Sequence, residues 1–330
     1  MIIGVLGTGS MGTAIATHFH KLGYPIVWWG RNPDLVNHIN RFHRNPKHMS
    51  EFLLPYDLKA TNDMSKLADA TYIISAVPTP YLRSVWSQLK VYVPAPKIVN
   101  TSKGIEVDTE MFAHEIFGEI FPDGVFMALS GPSFAREILK GFPTAVTLVG
   151  PEEHTSLLIK EWTTPSLRLY SADDLIGVEL AGAYKNVLAI ASGAVSGLEL
   201  GENTRAALIT RGIVELSRIG VALGANLKTF MGLAGVGDIM LTCSSKESRN
   251  FSLGWYIGKG LKLEDALKRL RGYPEGYKTS MAIKRITDRL NIEAPIVSAV
   301  VSVLHEKKSI KKVMSELLSR PPKKEFWGLN

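Results

Sequence analysis

Ile2-Ile3-Gly4-Val5-Leu6-Gly7-Thr8-Gly9-Ser10-Met11-Gly12 decides the fold. Residues 2–6 are a short apolar run that stops at a glycine turn, the pattern of a buried parallel strand. The turn opens a helical stretch over 13–22, and 24–29 reads as the next strand, completing a βαβ unit of about 30 residues. A G-x-G-x-x-G string alone is a weak signal. Placed after a strand and before a helix, it reads as a dinucleotide cradle. Gly7 permits the tight turn, Gly9 lets backbone approach a pyrophosphate, and Gly12 lets helix pack close to strand. The free N–H groups and positive end of the helix then hold the phosphates.

The alternation continues. Residues 71–77, 97–100, 125–129 and 144–149 read as strands, with helical stretches at 81–89 and 109–117. This favours a doubly wound parallel sheet. The texture changes after about Asp173. Asp173 or Asp174 can cap a long helix through Leu200, and 203–223, 261–270, 278–290 and 295–305 follow as helices, with Pro295 suited to a first turn. The expected division is residues 1–172 as a Rossmann-type α/β nucleotide domain and 173–330 as an all-α substrate domain, with a loose tail from about 320.

Composition is globular: 330 residues, 45% apolar and 21% charged. The 38 Lys and Arg exceed the 31 Asp and Glu, for a net charge of +7. No basic run is interleaved with aromatics, so nucleic acid is not an expected partner. A single cysteine, Cys243, excludes an internal disulfide and suits a reducing compartment. No basic segment precedes the first apolar run, and no run approaches bilayer-spanning length, so a cytoplasmic protein without stable membrane insertion is expected. The eight histidines show no metal-ligand spacing, so no metal is expected. A homodimer is the base-rate expectation.

The second strand ends at Trp29-Gly30-Arg31, where an NAD-selective site usually carries Asp or Glu. Arg31 can pair with a 2′-phosphate or stack on adenine, which predicts that NADP(H) is accepted and preferred, with NAD(H) the alternative. Lys103, in Asn100-Thr101-Ser102-Lys103-Gly104, is expected at the carboxyl edge of the sheet. The segment Ser130-Gly131-Pro132-Ser133-Phe134-Ala135 follows a strand and offers N–H groups and a hydroxyl to an anion.

Lys185 is the most informative residue. Small and apolar neighbours surround it in Leu180-Ala181-Gly182-Ala183-Tyr184-Lys185-Asn186-Val187-Leu188-Ala189. Burial would favour its neutral amine. A lysine tuned toward neutral pH can serve a ketone and an alcohol as acid and base. A third cluster holds Gly232, Gly235 and Gly237 ahead of Asp238, Thr242 a turn later, then Ser248-Arg249-Asn250 before a helix, a sound phosphate clamp.

These pieces, in this order, resemble the bacterial type of NAD(P)-dependent sn-glycerol-3-phosphate dehydrogenase over nearly the whole chain. Ala206-Ala207-Leu208-Ile209-Thr210-Arg211-Gly212, 235–243 and Glu275-Gly276 add to the motifs above. The resemblance implies a helical second domain like that of 6-phosphogluconate dehydrogenase. It also implies hydride transfer between NAD(P)H and dihydroxyacetone phosphate, giving sn-glycerol 3-phosphate for glycerophospholipid synthesis. It makes Lys185 the proton donor to the C2 oxygen during reduction. It places Lys103, Gly131, Ser133, Asp238, Ser248, Arg249 and Asn250 at the substrate, with Asn186 and Thr242 beside it. It places Ser10, Met11, Arg31, Lys103, Ala135, Arg249, Tyr273 and Glu275 at the cofactor, with Gly7, Gly9 and Gly12. The family commonly has an aromatic where this chain has Met11. Another β-hydroxyacid dehydrogenase, or a non-catalytic NADP-sensing protein, would share the glycine turn. The first would also share the sheet, the helical domain and a helix-borne lysine, but Ser248-Arg249-Asn250 and Thr210-Arg211-Gly212 argue against it; the second would not need Lys185 and Asp238 together with an anion clamp.

Overall fold

The computed structural model describes residues 1–270 and 272–329. The chain forms two compact units: Met1–Ser102 with Ala113–Asp173, and Lys103–Phe112 with Asp174–Asn330.

In the first unit, β1 (Ile3–Leu6), α1 (Ser10–Lys21), β2 (Ile26–Trp29), α2 (Pro33–Phe42) and β3 (Ala60–Thr61) come first. They are followed by β4 (Tyr72–Ser75), α3 (Leu82–Lys90), β5 (Lys97–Asn100), α4 (Ala113–Ile120) and β6 (Val125–Ser130). The unit ends with α5 (Ala135–Lys140), β7 (Thr144–Val149), α6 (Glu152–Trp162) and β8 (Leu167–Ala172). The strands form one sheet in the order β3-β2-β1-β4-β5-β6-β7-β8. All neighbours are parallel except β6 and β7. Because β1 lies between β2 and β4, the chain winds away from it in both directions. Ligands of such sheets collect at the carboxyl ends of strands at this switch point, and the Gly7 turn stands there. Ile3, Val5, Trp28, Tyr72, Ile74 and Val99 fill the core beneath it. Strands β3 and β8 extend the sheet beyond the strands expected from sequence. The first is two residues long, and the second alternates buried Leu167 and Leu169 with exposed Arg168 and Tyr170 instead of running apolar.

The second unit is helical: α7 (Leu175–Gly197), α8 (Gly201–Ala222), α9 (Asp238–Ser244), α10 (Arg249–Gly258), α11 (Leu263–Arg269), α12 (Glu275–Arg289), α13 (Pro295–Leu304) and α14 (Ile310–Leu318). Asp174 caps α7, accepting from Gly177 N at 2.9 Å. Helix α7 is apolar almost all round and is therefore the buried centre of its unit. By length and composition it could cross a membrane, which corrects the expectation that no run is long enough; its apolar window is 83% buried.

Two further expectations change. A single boundary at 172/173 is too simple, since Ile105 and Phe112 are buried in the core of the helical unit and carry 103–112 with them. The helix expected at 109–117 accordingly starts at Ala113. The tail beyond 320 is tied down rather than loose. Arg218 donates to Trp327 O at 3.1 and 3.3 Å and lies 4.4 Å from its ring centre, while Lys323 and Arg320 pair with Glu293.

Candidate active site

Lys185 sits midway along α7, on a helix with almost no exposed face, and is itself only 7% exposed. Its Nζ donates to Asp238 Oδ1 at 2.6 Å and to Thr242 Oγ1 at 3.0 Å. Asp238 and Thr242 lie one turn apart on α9, so both face the same way, and Thr242 also donates to Asp238 Oδ1 at 3.2 Å. Lys103 Nζ takes the other carboxylate oxygen, Oδ2, at 2.5 Å. Lys103 follows β5, which ends at Asn100, by three residues, and it groups with the helical unit through this ion pair.

Two ammonium groups share one carboxylate, leaving the cluster one positive charge in excess. Burial lowers the pKa of Lys185 from 10.5 to about 8, with Lys103 adding to the fall and Asp238 opposing it. Burial pushes the Asp238 pKa up, but the two lysines outweigh it and hold the carboxyl below its ordinary range. An ammonium has three N–H donors. Two are committed here, leaving one for an oxygen of a ligand. The arrangement can polarise a carbonyl and pass it a proton near neutral pH.

A chain of amides extends the cluster. Asn186 donates to Lys103 O at 3.0 Å, Asn250 donates to Asn186 Oδ1 at 2.9 Å, and Gly276 N donates to Asn250 Oδ1 at 2.9 Å. These bonds join the 103–112 segment, α7, α10 and α12. Ser248 caps α10, accepting from Phe251 N at 3.2 Å, and Arg249 is exposed at its first position. The Arg249 guanidinium lies over Gly272, where a Cβ would stand 2.9 Å from Nη1. Tyr273, which is 40% exposed and beneath Lys278, and Glu275 flank the start of α12.

In the first unit, Gly7 has φ 120°, closed to most side chains. A Cβ on Gly12 would lie 2.0 Å from Gly7 O, whereas one on Gly9 would meet nothing within 4 Å. The backbone at Gly9 therefore faces open space. No side chain caps α1, leaving its first N–H groups, at Ser10, Met11 and Gly12, for an anion. This cradle fits a pyrophosphate. Arg31 is exposed at the end of β2, its guanidinium 5.6 Å from the Tyr81 ring centre. Ser133 donates to Gly131 O at 2.9 Å, and Ala135 packs α5 against Ala14 of α1. Among the described residues no group of three or more His, Cys, Asp or Glu could hold a metal.

Sequence reasoning missed Glu215. It is buried in α8 and accepts from Tyr184 Oη at 3.0 Å, Ile296 N at 2.8 Å and Val297 N at 3.0 Å, capping α13 beside the lysine helix. Burial raises its pKa to about 7 against those hydrogen bonds. The one available signal was a carboxylate between apolar neighbours, Val214-Glu215-Leu216.

Family models described as the NAD-dependent glycerol-3-phosphate dehydrogenase N-terminus and C-terminus match residues 2–156 and 174–315. A Zymomonas mobilis protein named glycerol-3-phosphate dehydrogenase (NAD(P)+) is 39% identical over 98% of this chain and 94% of its own length. One of the same name from Leptospira biflexa is 40% identical over 98% and 99%. The crystal structure of glycerol-3-phosphate dehydrogenase from Coxiella burnetii superposes with a TM-score of 0.93 at 34% identity, covering 96% of this chain and 98% of that one. The chain therefore belongs to the NAD(P)-dependent glycerol-3-phosphate dehydrogenase family.

Proposed function

We propose that this chain is an oxidoreductase that interconverts dihydroxyacetone phosphate and sn-glycerol 3-phosphate with NAD(P)H. The observation that carries the reading is Lys185, buried with an uncommitted N–H between Asp238 and Thr242, with Lys103 on the same carboxylate. Gly7, Gly9, Ser10, Met11 and Gly12 would hold the cofactor pyrophosphate, with Arg31 at the adenosine end and Ala135, Tyr273 and Glu275 as further contacts. When bound, the reduced nicotinamide supplies the hydride.

The remaining work falls to the chain itself. Arg249 and the first N–H groups of α10 hold the substrate phosphate, with Ser248 and Asn250 fixing that helix start. Gly131 and Ser133 are further substrate contacts. Lys103 and Lys185 place one excess positive charge where an oxyanion develops. Lys185 gives its proton to the C2 oxygen during reduction and takes it back in reverse. Asp238 keeps enough of Lys185 protonated to do so, and Thr242 and Asn186 hold the groups in place. Orientation can lower the barrier by ~7–11 kcal/mol, and acid–base help adds ~10²–10⁴-fold.

The protein works in the cytoplasm, consistent with its single reduced cysteine, and supplies a glycerophospholipid precursor. A homodimer is proposed from the base rate. The test follows NADPH absorbance on adding dihydroxyacetone phosphate, with NADH alongside. Turnover faster with NADPH is expected. Tight NADPH binding without turnover of this ketone would refute the reading.

A further inference from the structure

Helices α7 and α10 run side by side in parallel at a fixed offset, Asn186 level with Asn250 and Ile190 with Gly254. Their backbones touch through four glycines. A Cβ would lie 1.9 Å from Phe251 O at Gly193 and 2.4 Å from Trp255 O at Gly197. It would lie 1.9 Å from Ile190 O at Gly254 and 2.5 Å from Ala194 O at Gly258. The obstacle in each case is main-chain oxygen, which no rotamer change can move. Both pairs are spaced four apart, so each helix presents one glycine face to the other. Far less closeness would suffice to bury apolar surface, since helices usually pack at about 8–10 Å between axes through their side chains. The contact sets the level and distance of the α10 start, where Ser248, Arg249 and Asn250 stand, relative to Lys185.

We propose that Gly193, Gly197, Gly254 and Gly258 are positioning residues that fix the separation between the phosphate clamp and the proton donor, and so match the site to a three-carbon phosphorylated ketone. The proposal rests on the reading of Arg249 and the α10 start as the clamp. A Cβ at Gly254 obliges α10 to retreat by roughly 1–1.5 Å to restore ordinary contact. Misplacement of about 1 Å can cost ~10²-fold in rate. The clamp itself moves as one piece and keeps its affinity for an anion.

The test compares Gly254→Ala and Gly258→Ala with Gly118→Ala, whose added Cβ meets nothing within 4 Å. Each is assayed for kcat/KM toward dihydroxyacetone phosphate and for competitive inhibition by inorganic phosphate, after thermal melting confirms folding. The expected result for Gly254→Ala is a loss of roughly 10–100-fold in kcat/KM, with phosphate inhibition within about twofold of the parent. Gly258→Ala, further from the site and less crowded, loses less, and Gly118→Ala loses nothing. Unchanged kcat/KM in folded Gly254→Ala overturns the proposal, as does an equal loss of phosphate binding. If Gly254→Ala does not fold, Gly258→Ala is read the same way; failure of both to fold also overturns it, since the contact would then serve folding alone. Arg249→Ala separates the two readings. If it leaves phosphate inhibition untouched, the clamp assignment has failed, whatever the glycine variants do.

Discussion

Asp238→Asn removes the one negative charge that Lys103 and Lys185 share, while preserving shape. At 2.6 Å the lost attraction on Lys185 is about 6 kcal/mol at an effective dielectric of ~20. That corresponds to about 4–5 pH units at ~1.36 kcal/mol each. Removing the carboxylate also weakens its hold on Lys103 and lets water enter, so the net fall is smaller, about 1–2 units. Reduction consumes the ammonium form, and its rate should decline as pH rises through about 8 in the parent protein. In the variant the decline should begin at about pH 6–7, lowering kcat/KM at about pH 7.5 by ~3–25-fold, with most of it regained near pH 5.5. The assay is the pH profile of dihydroxyacetone phosphate reduction at saturating NADPH. Stability carries the same signature. Folded Lys185 gives up its proton at about 8 and unfolded lysine at 10.5. Between those values the unfolded state holds the extra proton, and stability rises with pH; it is lost as pH falls through about 8. In Asp238→Asn this window should widen downward. An unmoved decline, or a loss of activity equal at every pH, would refute the electrostatic account of Asp238.

Arg249→Ala should raise KM for dihydroxyacetone phosphate by at least tenfold with a smaller effect on kcat, measured by steady-state kinetics; an unchanged KM would place the phosphate elsewhere. Arg31→Ala should lower the ratio of NADPH to NADH kcat/KM by about tenfold, and an unaltered ratio would make Arg31 a bystander. Glu215→Leu leaves Tyr184 Oη and the N–H groups of Ile296 and Val297 without their acceptor. It should cost ~3 kcal/mol or more in urea unfolding, and Glu215→Gln, which keeps one acceptor oxygen, less. Because the folded pKa of Glu215 is raised from 4.5 to about 7, its share of stability is full below pH 4.5 and fades as pH rises through about 7. Glu215→Gln should flatten the pH dependence across that window, and an identical slope would contradict the assignment.

The glycine turn was legible because its logic is local: a strand, three glycines and a helix occupy adjacent residues, with φ 120° at Gly7 beside a helix start that no side chain caps. The unusual setting of Lys185 was equally legible from its neighbours in one helix. The bonds that lysine makes were not. Lys103 and Asp238 are 135 residues apart, and a glycine-rich lead to a lone aspartate looks like an ordinary capped loop. The segment 103–112 lies between two strands in sequence, and only the burial of Ile105 and Phe112 shows which core it serves. The glycines of α7 and α10 lower helix propensity when read singly. The close backbone contact they permit appears once the two helices are seen to face each other.

The most direct measurement of the central claim is turnover of dihydroxyacetone phosphate by Lys185→Ala alongside NADPH binding by the same protein. The account predicts kcat lower by about 10²–10⁴-fold with NADPH affinity retained. Turnover within a few-fold of the parent would contradict it, and the proton would have to come from another group.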